Sequence, residues 1–354
     1  MQREAAAGKE GGAVMEIDFD THAIRIGPHF GVSFQRTLRL PDDGRTYPLP
    51  PGLGAFPIYD ASLFPGIFSE STGAGLAAAP PARKTFFIPM YQREALWIGF
   101  RGAAWHPSAV VVSAGGVNVL TGEIAGAASG SGGKILDDGP QNYIVAPLQP
   151  WLDGFNTGDG TIRQFVAMPL GLGYTLEASL TGRERRGGIH ITVFEARPGR
   201  FPDTPPPEMP HEKRPMAGLG GLGSPRMGLG AGGVMRQRIH PDPHGLDAWD
   251  PGTCGEIVIH ILNSARFREI AGFDPPPTPI DAAAYTRHGL PWFDLYDEEK
   301  GDLPGSATLA GAGTVRARDA ALGIENASAP VEISGDQVKR LGRGDAALTE
   351  KKES

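Results

Sequence analysis

His240-Pro-Asp242-Pro-His244, followed closely by Asp247 and Asp250, is the densest set of metal-ligand residue types in the chain. Imidazole and carboxylate groups are the ligands that borderline divalent metals favour. Three of them with a water complete a catalytic zinc-type site. His240, Asp242 and His244 would be the ligands, with Asp247 as general base or fourth ligand. The spacing is not that of a helical His-Glu-x-x-His motif, and Pro241 and Pro243 exclude a regular helix. Any such site would sit on a loop, where the competing reading is an Asp/Pro turn with surface histidines.

A second candidate site joins Trp151, Asp153, Arg163 and Gln164. If strands bring them together, an Arg–carboxylate pair beside an indole face could hold a polar ligand or a sugar. The plainer alternative is an Arg–Asp bridge tying a turn to a strand, with Trp151 in the core.

Other chemistry finds less support. Gly218-x-Gly220-x-x-Gly223 and Gly228-x-Gly230-x-x-Gly233 spell the dinucleotide fingerprint, but neither follows a strand and opens a helix. Lys134 after Gly133 is followed by Ile135, so it is not a P-loop. No Gly-x-Ser-x-Gly elbow is present. Cys254 is the only cysteine, which excludes an intrachain disulfide and the Cys-rich zinc modules. It follows a turn and begins a strand pattern, where a cysteine reads as a small buried hydrophobe.

The elements that must carry these residues are mostly strands. Val32, Phe34, Leu38 and Leu40 alternate with Ser33, Gln35, Thr37 and Arg39, interrupted by Arg36. Ala109–Ala114 and Val117–Leu120, joined by Gly115-Gly116, read as a tight hairpin. Further strands are expected over 86–100, 143–146, 161–168, 174–180 and 189–193. Many short strands with Gly/Pro turns favour a β-sandwich-like domain over residues 31–198. The first 30 residues read as a flexible tail, and 71–82 and 122–133 as mobile loops. Residues 197–233 contain eight prolines and nine glycines and read as a linker, assigned to 199–233. A smaller α+β domain is expected over 234–315. It has strands at 234–239 and 256–262, a helix from Ser264 stopped by Gly272, and a helix opened by Thr278-Pro-Ile-Asp281 and ended by Gly289. Beyond 316 the chain reads as a polar tail.

Several pieces of this sequence resemble a group of bacterial and fungal proteins. They are Pro48-Leu-Pro-Pro-Gly-Leu-Gly54, Gln149-Pro-Trp-Leu-Asp-Gly154, Arg163-Gln-Phe-Val-Ala-Met-Pro-Leu-Gly171 and Gly289-Leu-Pro-Trp-Phe-Asp294. The resemblance covers roughly 32–198 and 228–315. It implies no activity, only that the two halves belong to one unit.

Length and composition set the outer limits. The chain has 354 residues, of which 40% are hydrophobic, so a sizeable core can form. The net charge of -7 with no basic block argues against tracking a nucleic-acid backbone. The N-terminus lacks the apolar run of a secretory signal, and no stretch of about 18 apolar residues could span a bilayer. A reducing, cytoplasmic compartment is therefore expected. The leading functional reading is a non-enzymatic binding or assembly component without a cofactor. It would act by self-association or on a protein partner, with no membrane or nucleic-acid role. The alternatives are a metal-dependent hydrolase built on His240, Asp242 and His244, and a carbohydrate-binding module built on Trp151.

Overall fold

The computed structural model of the chain describes residues 14–64, 83–125, 139–205, 226–272, 274–295, 301–325 and 331–341. The fold is mainly β. Among these residues seventeen strands join one hydrogen-bonded sheet network, mostly antiparallel, with a few short helices packed around it.

The backbone of the sheet comes from alternating sequence. Phe30–Thr37 pairs antiparallel with Ala95–Gly102 along its whole length, from Phe30↔Gly102 to Thr37↔Ala95. Val32, Phe34, Leu38 and Leu40 are buried, as their alternation requires. Arg36 falls on the same inward register. It is buried against Glu94, which explains a charged residue at a core position. The Gly115-Gly116 turn has φ of +57° and +80°, the pair of positive values a primed hairpin turn needs. Ala114 and Val117 face each other across it. Ile189–Ala196 lies between Ser108–Ala114 and Trp249–Asn263, and the last of these runs parallel to Arg83–Met90. Phe34, Phe86, Phe165, Ile191 and Ile259 lie together in the main core with no exposed surface. Each such side chain stabilises the fold by roughly 1.5–3 kcal/mol before its ordering cost.

Four sequence expectations need correction. Residues 174–180 are not a strand: Leu176–Thr181 is a helix, capped by the Thr175 side chain and closed by Gly182 in the left-handed region. In so short a segment apolar residues at i and i+4, here Leu176 and Leu180, fit either period. Second, the end of the expected linker, residues 226–233, belongs to the strand Arg226–Arg236, paired with Thr161–Pro169. Its glycines mark close approach rather than flexibility. A Cβ on Gly230 would meet the Tyr174 carbonyl oxygen at 2.8 Å, and one on Gly233 would collide with the backbone oxygen of Pro41. Residues 206–225 lie outside the described residues, as do 71–82 and 126–133 of the expected loops. Third, the expected N-terminal tail contains a hairpin, Ile17–Phe19 with Ile24–Ile26, whose isoleucines are buried. Fourth, the expected C-terminal tail supplies the helix Val315–Ala321 and the strand Val338–Leu341, which pairs with Trp292–Leu295.

The two helix stops at Gly272 and Gly289 hold, but their caps lie elsewhere. Asn263 caps Ser264–Ala271, and Asp281 caps Ala282–Arg287. The strands Arg226–Arg236 and Trp249–Asn263, placed by sequence in or beside the second unit, hydrogen-bond along strands of the first. No helix among the described residues is long and apolar enough to cross a membrane.

Gly233→Ala is expected to destabilise the chain by about 1–3 kcal/mol, read as a lower urea midpoint, because the obstacle is backbone rather than a movable side-chain tip. An unchanged midpoint would contradict this packing.

Candidate functional site

His240, Asp242, His244 and Asp247 do not converge. Among the described residues their ligand atoms form no group of three within 4.8 Å. Asp242 is occupied: its Oδ2 accepts from the Tyr143 hydroxyl (2.7 Å) and the Trp249 indole N–H (2.9 Å). Its Oδ1 accepts from the His244 backbone N–H at 2.8 Å. His240 Nδ1 faces the Gly301 carbonyl at 3.3 Å, the His244 ring lies edge-on to Phe201 and Trp249, and Asp247 is exposed. The segment is a loop anchor that joins residues 240–249 to the strand end at Tyr143.

The second candidate set is also distributed. Trp151 and Arg163 are half-buried, and Trp151 meets Trp97 edge-on at 6.4 Å. No ion pair joins Asp153 to Arg163 among the described residues. Asp153 is buried and accepts from Gln237 Nε2 at 2.8 Å, while its own N–H donates to Gln237 Oε1 at 2.9 Å. Burial pushes the Asp153 carboxyl up to about 7, and its hydrogen bonds offset this only in part. A carboxyl raised in the folded state favours folding most at low pH. That contribution is present below about pH 4 and is lost as pH rises through about 7. Asp153→Asn is therefore expected to be more stable than the natural chain at pH 8. The gain is at most about 4 kcal/mol, given about 1.4 kcal/mol for each pKa unit, and it should vanish near pH 4. Urea unfolding at both pH values measures it; a pH-independent difference would contradict a neutral buried Asp153.

Gln164 leads to the site that sequence reasoning passed over. It is fully buried and holds the backbone of the segment after Phe30–Thr37. Its Oε1 accepts from the Leu40 N–H at 2.9 Å, and its Nε2 donates to the Leu38 carbonyl at 2.9 Å. The residue between these two bonds is Arg39, whose backbone position is thereby fixed.

Arg39 lines a cavity of about 400 Å³. That is within the range of small-molecule sites, about 300–1,000 Å³. One wall is Thr37, Arg39 and Pro41, and another is Arg93, Glu94 and Ala95. The rest of the lining comes from Pro279–Ala283 and from Ile324, Glu325 and Val331. Ile280 and Ile324 are among the large apolar side chains left exposed, so part of the lining is apolar and solvent-facing.

The charges around the cavity are unevenly matched. Arg36 Nε donates to Glu94 at 2.6 Å, and the Tyr91 N–H donates to the other oxygen at 2.8 Å. Burial raises the Glu94 carboxyl, and Arg36 and Tyr91 offset that only partly. Arg93 donates to both oxygens of buried Asp319, at 2.8 and 2.6 Å, and the Tyr174 hydroxyl donates to the same carboxylate at 2.6 Å. Arg39 has no equivalent. Its Nε and Nη2 are sealed from water without a hydrogen-bond partner. No carboxylate among the described residues lies within ion-pair distance of it. Burial, and then the Arg93 cation nearby, draw its pKa down to about 10. It remains a cation at neutral pH. The Nε and Nη2 donors form one edge of the guanidinium fork, the edge that grips a carboxylate with two parallel hydrogen bonds.

The chain matches no family model, no curated protein and no solved structure.

Proposed function

We propose that this chain is a non-enzymatic binding protein whose ligand is a small organic acid, a carboxylate on an apolar body, taken into the Arg39 cavity. The observation that carries this reading is the pair of sealed, unpartnered donors on Arg39. A guanidinium left in that state costs the free protein stability, and a bound carboxylate returns the missing hydrogen bonds. Engagement requires the guanidinium to turn its Nε/Nη2 edge toward the cavity. The apolar lining, with Ile280 and Ile324 exposed, suits an aliphatic or aromatic ligand body. Glu325 and Asp281 on the same walls disfavour a second anionic group there.

Thermal unfolding in the presence of linear monocarboxylates from acetate to octanoate, with the matching alcohols as controls, tests the reading. Stabilisation is expected from the acids, growing with chain length, and little from the alcohols. Equal effects of acid and alcohol, or none from either, would sink it.

A further inference from the structure

A second constellation stands apart from the Arg39 cavity and from every motif that the sequence singles out. His29, His106 and Glu195 each offer a ligand atom, and these atoms lie within 4.8 Å of one another. They come from three separate parts of the chain. His29 sits in the turn between Ile24–Ile26 and Phe30–Thr37. His106 follows the strand Ala95–Gly102, and backbone bonds Ala103 N–H to His29 O (3.1 Å) and His106 N–H to Ala103 O (3.0 Å) hold the two loops together. Glu195 lies where the register of Ile189–Ala196 against Trp249–Asn263 shifts, between Phe194↔Cys254 and Ala196↔Trp249. Such an irregularity re-aims a strand side chain.

The polar atoms here are placed for a cation. Glu195 Oε1 is 3.4 Å from His29 Nδ1, and Oε2 is 3.5 Å from His106 Nε2. Neither approach is a hydrogen bond: His29 Nδ1 and Glu195 Oε2 are both buried without a partner. His106 Nδ1 is 2.8 Å from the Pro202 carbonyl oxygen, which can only accept, so Nδ1 carries the proton. In the neutral imidazole that leaves the Nε2 lone pair facing a carboxylate oxygen. Two acceptors facing each other need a proton or a metal ion between them, and the 3.5 Å gap is longer than the roughly 2.7–2.9 Å of a charge-assisted hydrogen bond. Ligands held at about 2.1 Å around a tetrahedral ion lie about 3.4 Å apart, and each gap, one to each Glu195 oxygen, is of that size. The carbonyl that fixes the His106 tautomer is the usual outer partner of a metal-bound histidine. Trp105 packs edge-on against both imidazoles and Phe201 against His106. The two imidazoles stack on each other with centroids 4.0 Å apart, so sharing one ion requires one ring to turn out of the stack.

We propose that His29, His106 and Glu195 form a binding site for one divalent transition-metal ion, with zinc the best match. Three protein ligands leave at least one coordination position for water or another small ligand.

The test uses the full chain, stripped with a chelator, dialysed, and titrated calorimetrically with Zn²⁺ alone. One equivalent is expected to bind. Glu195→Gln and His106→Gln should each weaken binding by at least about 100-fold, the upper end of what loss of even an outer partner does. His244→Gln, outside the cluster, should leave binding unchanged. Absence of stoichiometric binding, or binding that survives in the Glu195→Gln/His106→Gln double variant, would overturn the proposal. Should the variants misfold, imidazole ¹⁵N spectra of the natural chain decide. Two of the nine histidines should shift on adding Zn²⁺; shifts of none, or of a different number, would overturn it.

Discussion

Arg39→Met is expected to melt higher than the natural chain in the absence of ligand, and at the same time to lose carboxylate binding. Both effects have one origin. The guanidinium holds two donors out of water without partners and lies close enough to Arg93 for the two cations to repel. Methionine fills similar space with a flexible apolar chain and removes both penalties. Replacing a buried, poorly compensated charge with an apolar side chain is commonly neutral or stabilising by about 1–4 kcal/mol. For a chain of 354 residues that corresponds to a rise of about 1–5 °C. Hydrogen bonds to charged groups contribute about 1.5–3 kcal/mol, so carboxylate affinity should fall by about 10- to 150-fold. Scanning calorimetry with and without octanoate reads both quantities. A lower melting temperature for the free variant would mean that Arg39 braces the fold and that the cavity is incidental to it.

Asp319→Ala should have the largest destabilising effect of any substitution near the cavity. One carboxylate, almost wholly buried, takes both Arg93 donors and the Tyr174 hydroxyl. Burial alone would raise this carboxyl, but the Arg93 and Tyr174 hydrogen bonds outweigh it and hold the pKa below the ordinary aspartate value. Alanine would leave Arg93 unpaired beside Arg39 and detach the helix Val315–Ala321 from the sheet. Breaking a buried pair typically costs about 3–5 kcal/mol, and the partial exposure of Arg93 places the cost near the lower end. The pH dependence follows from a carboxyl lowered in the folded state. Its contribution is complete above the unfolded pKa near 4 and is lost as pH falls through the lower folded value. The deficit of Asp319→Asn relative to the natural chain should therefore be constant from pH 6 to 8 and shrink only in strong acid. A deficit that grows between pH 6 and 8 would assign the effect to another group.

What sequence could and could not disclose follows from the range of the interactions. The alternation from Val32 to Leu40, the Gly115-Gly116 turn and the stops at Gly272 and Gly289 are local signals, and each marks a real feature. The glycines of Arg226–Arg236 misled because flexibility and close packing spell the same way; only the neighbours, Tyr174 and Pro41, distinguish them. Gln164 drew notice as a ligand-binding residue, yet its buried amide acts on the backbone around Arg39. Arg39 itself sat at an alternation position that normally faces solvent. The clue was its place three residues after Arg36, two arginines in and just beyond a largely buried strand. His29, His106 and Glu195 carried no local signal, since their meeting depends on two loops and one register shift.

Carboxylate binding at Arg39 is tested most directly by watching the Arg39 Nε–H itself. In ¹H–¹⁵N spectra of arginine side chains, the signal missing from Arg39→Met identifies it. Titration with hexanoate should move that signal downfield as the donor gains an acceptor, in step with the binding isotherm. If hexanoate leaves it in place, or binds while moving the signal of a different arginine, the cavity is not a carboxylate site held by Arg39.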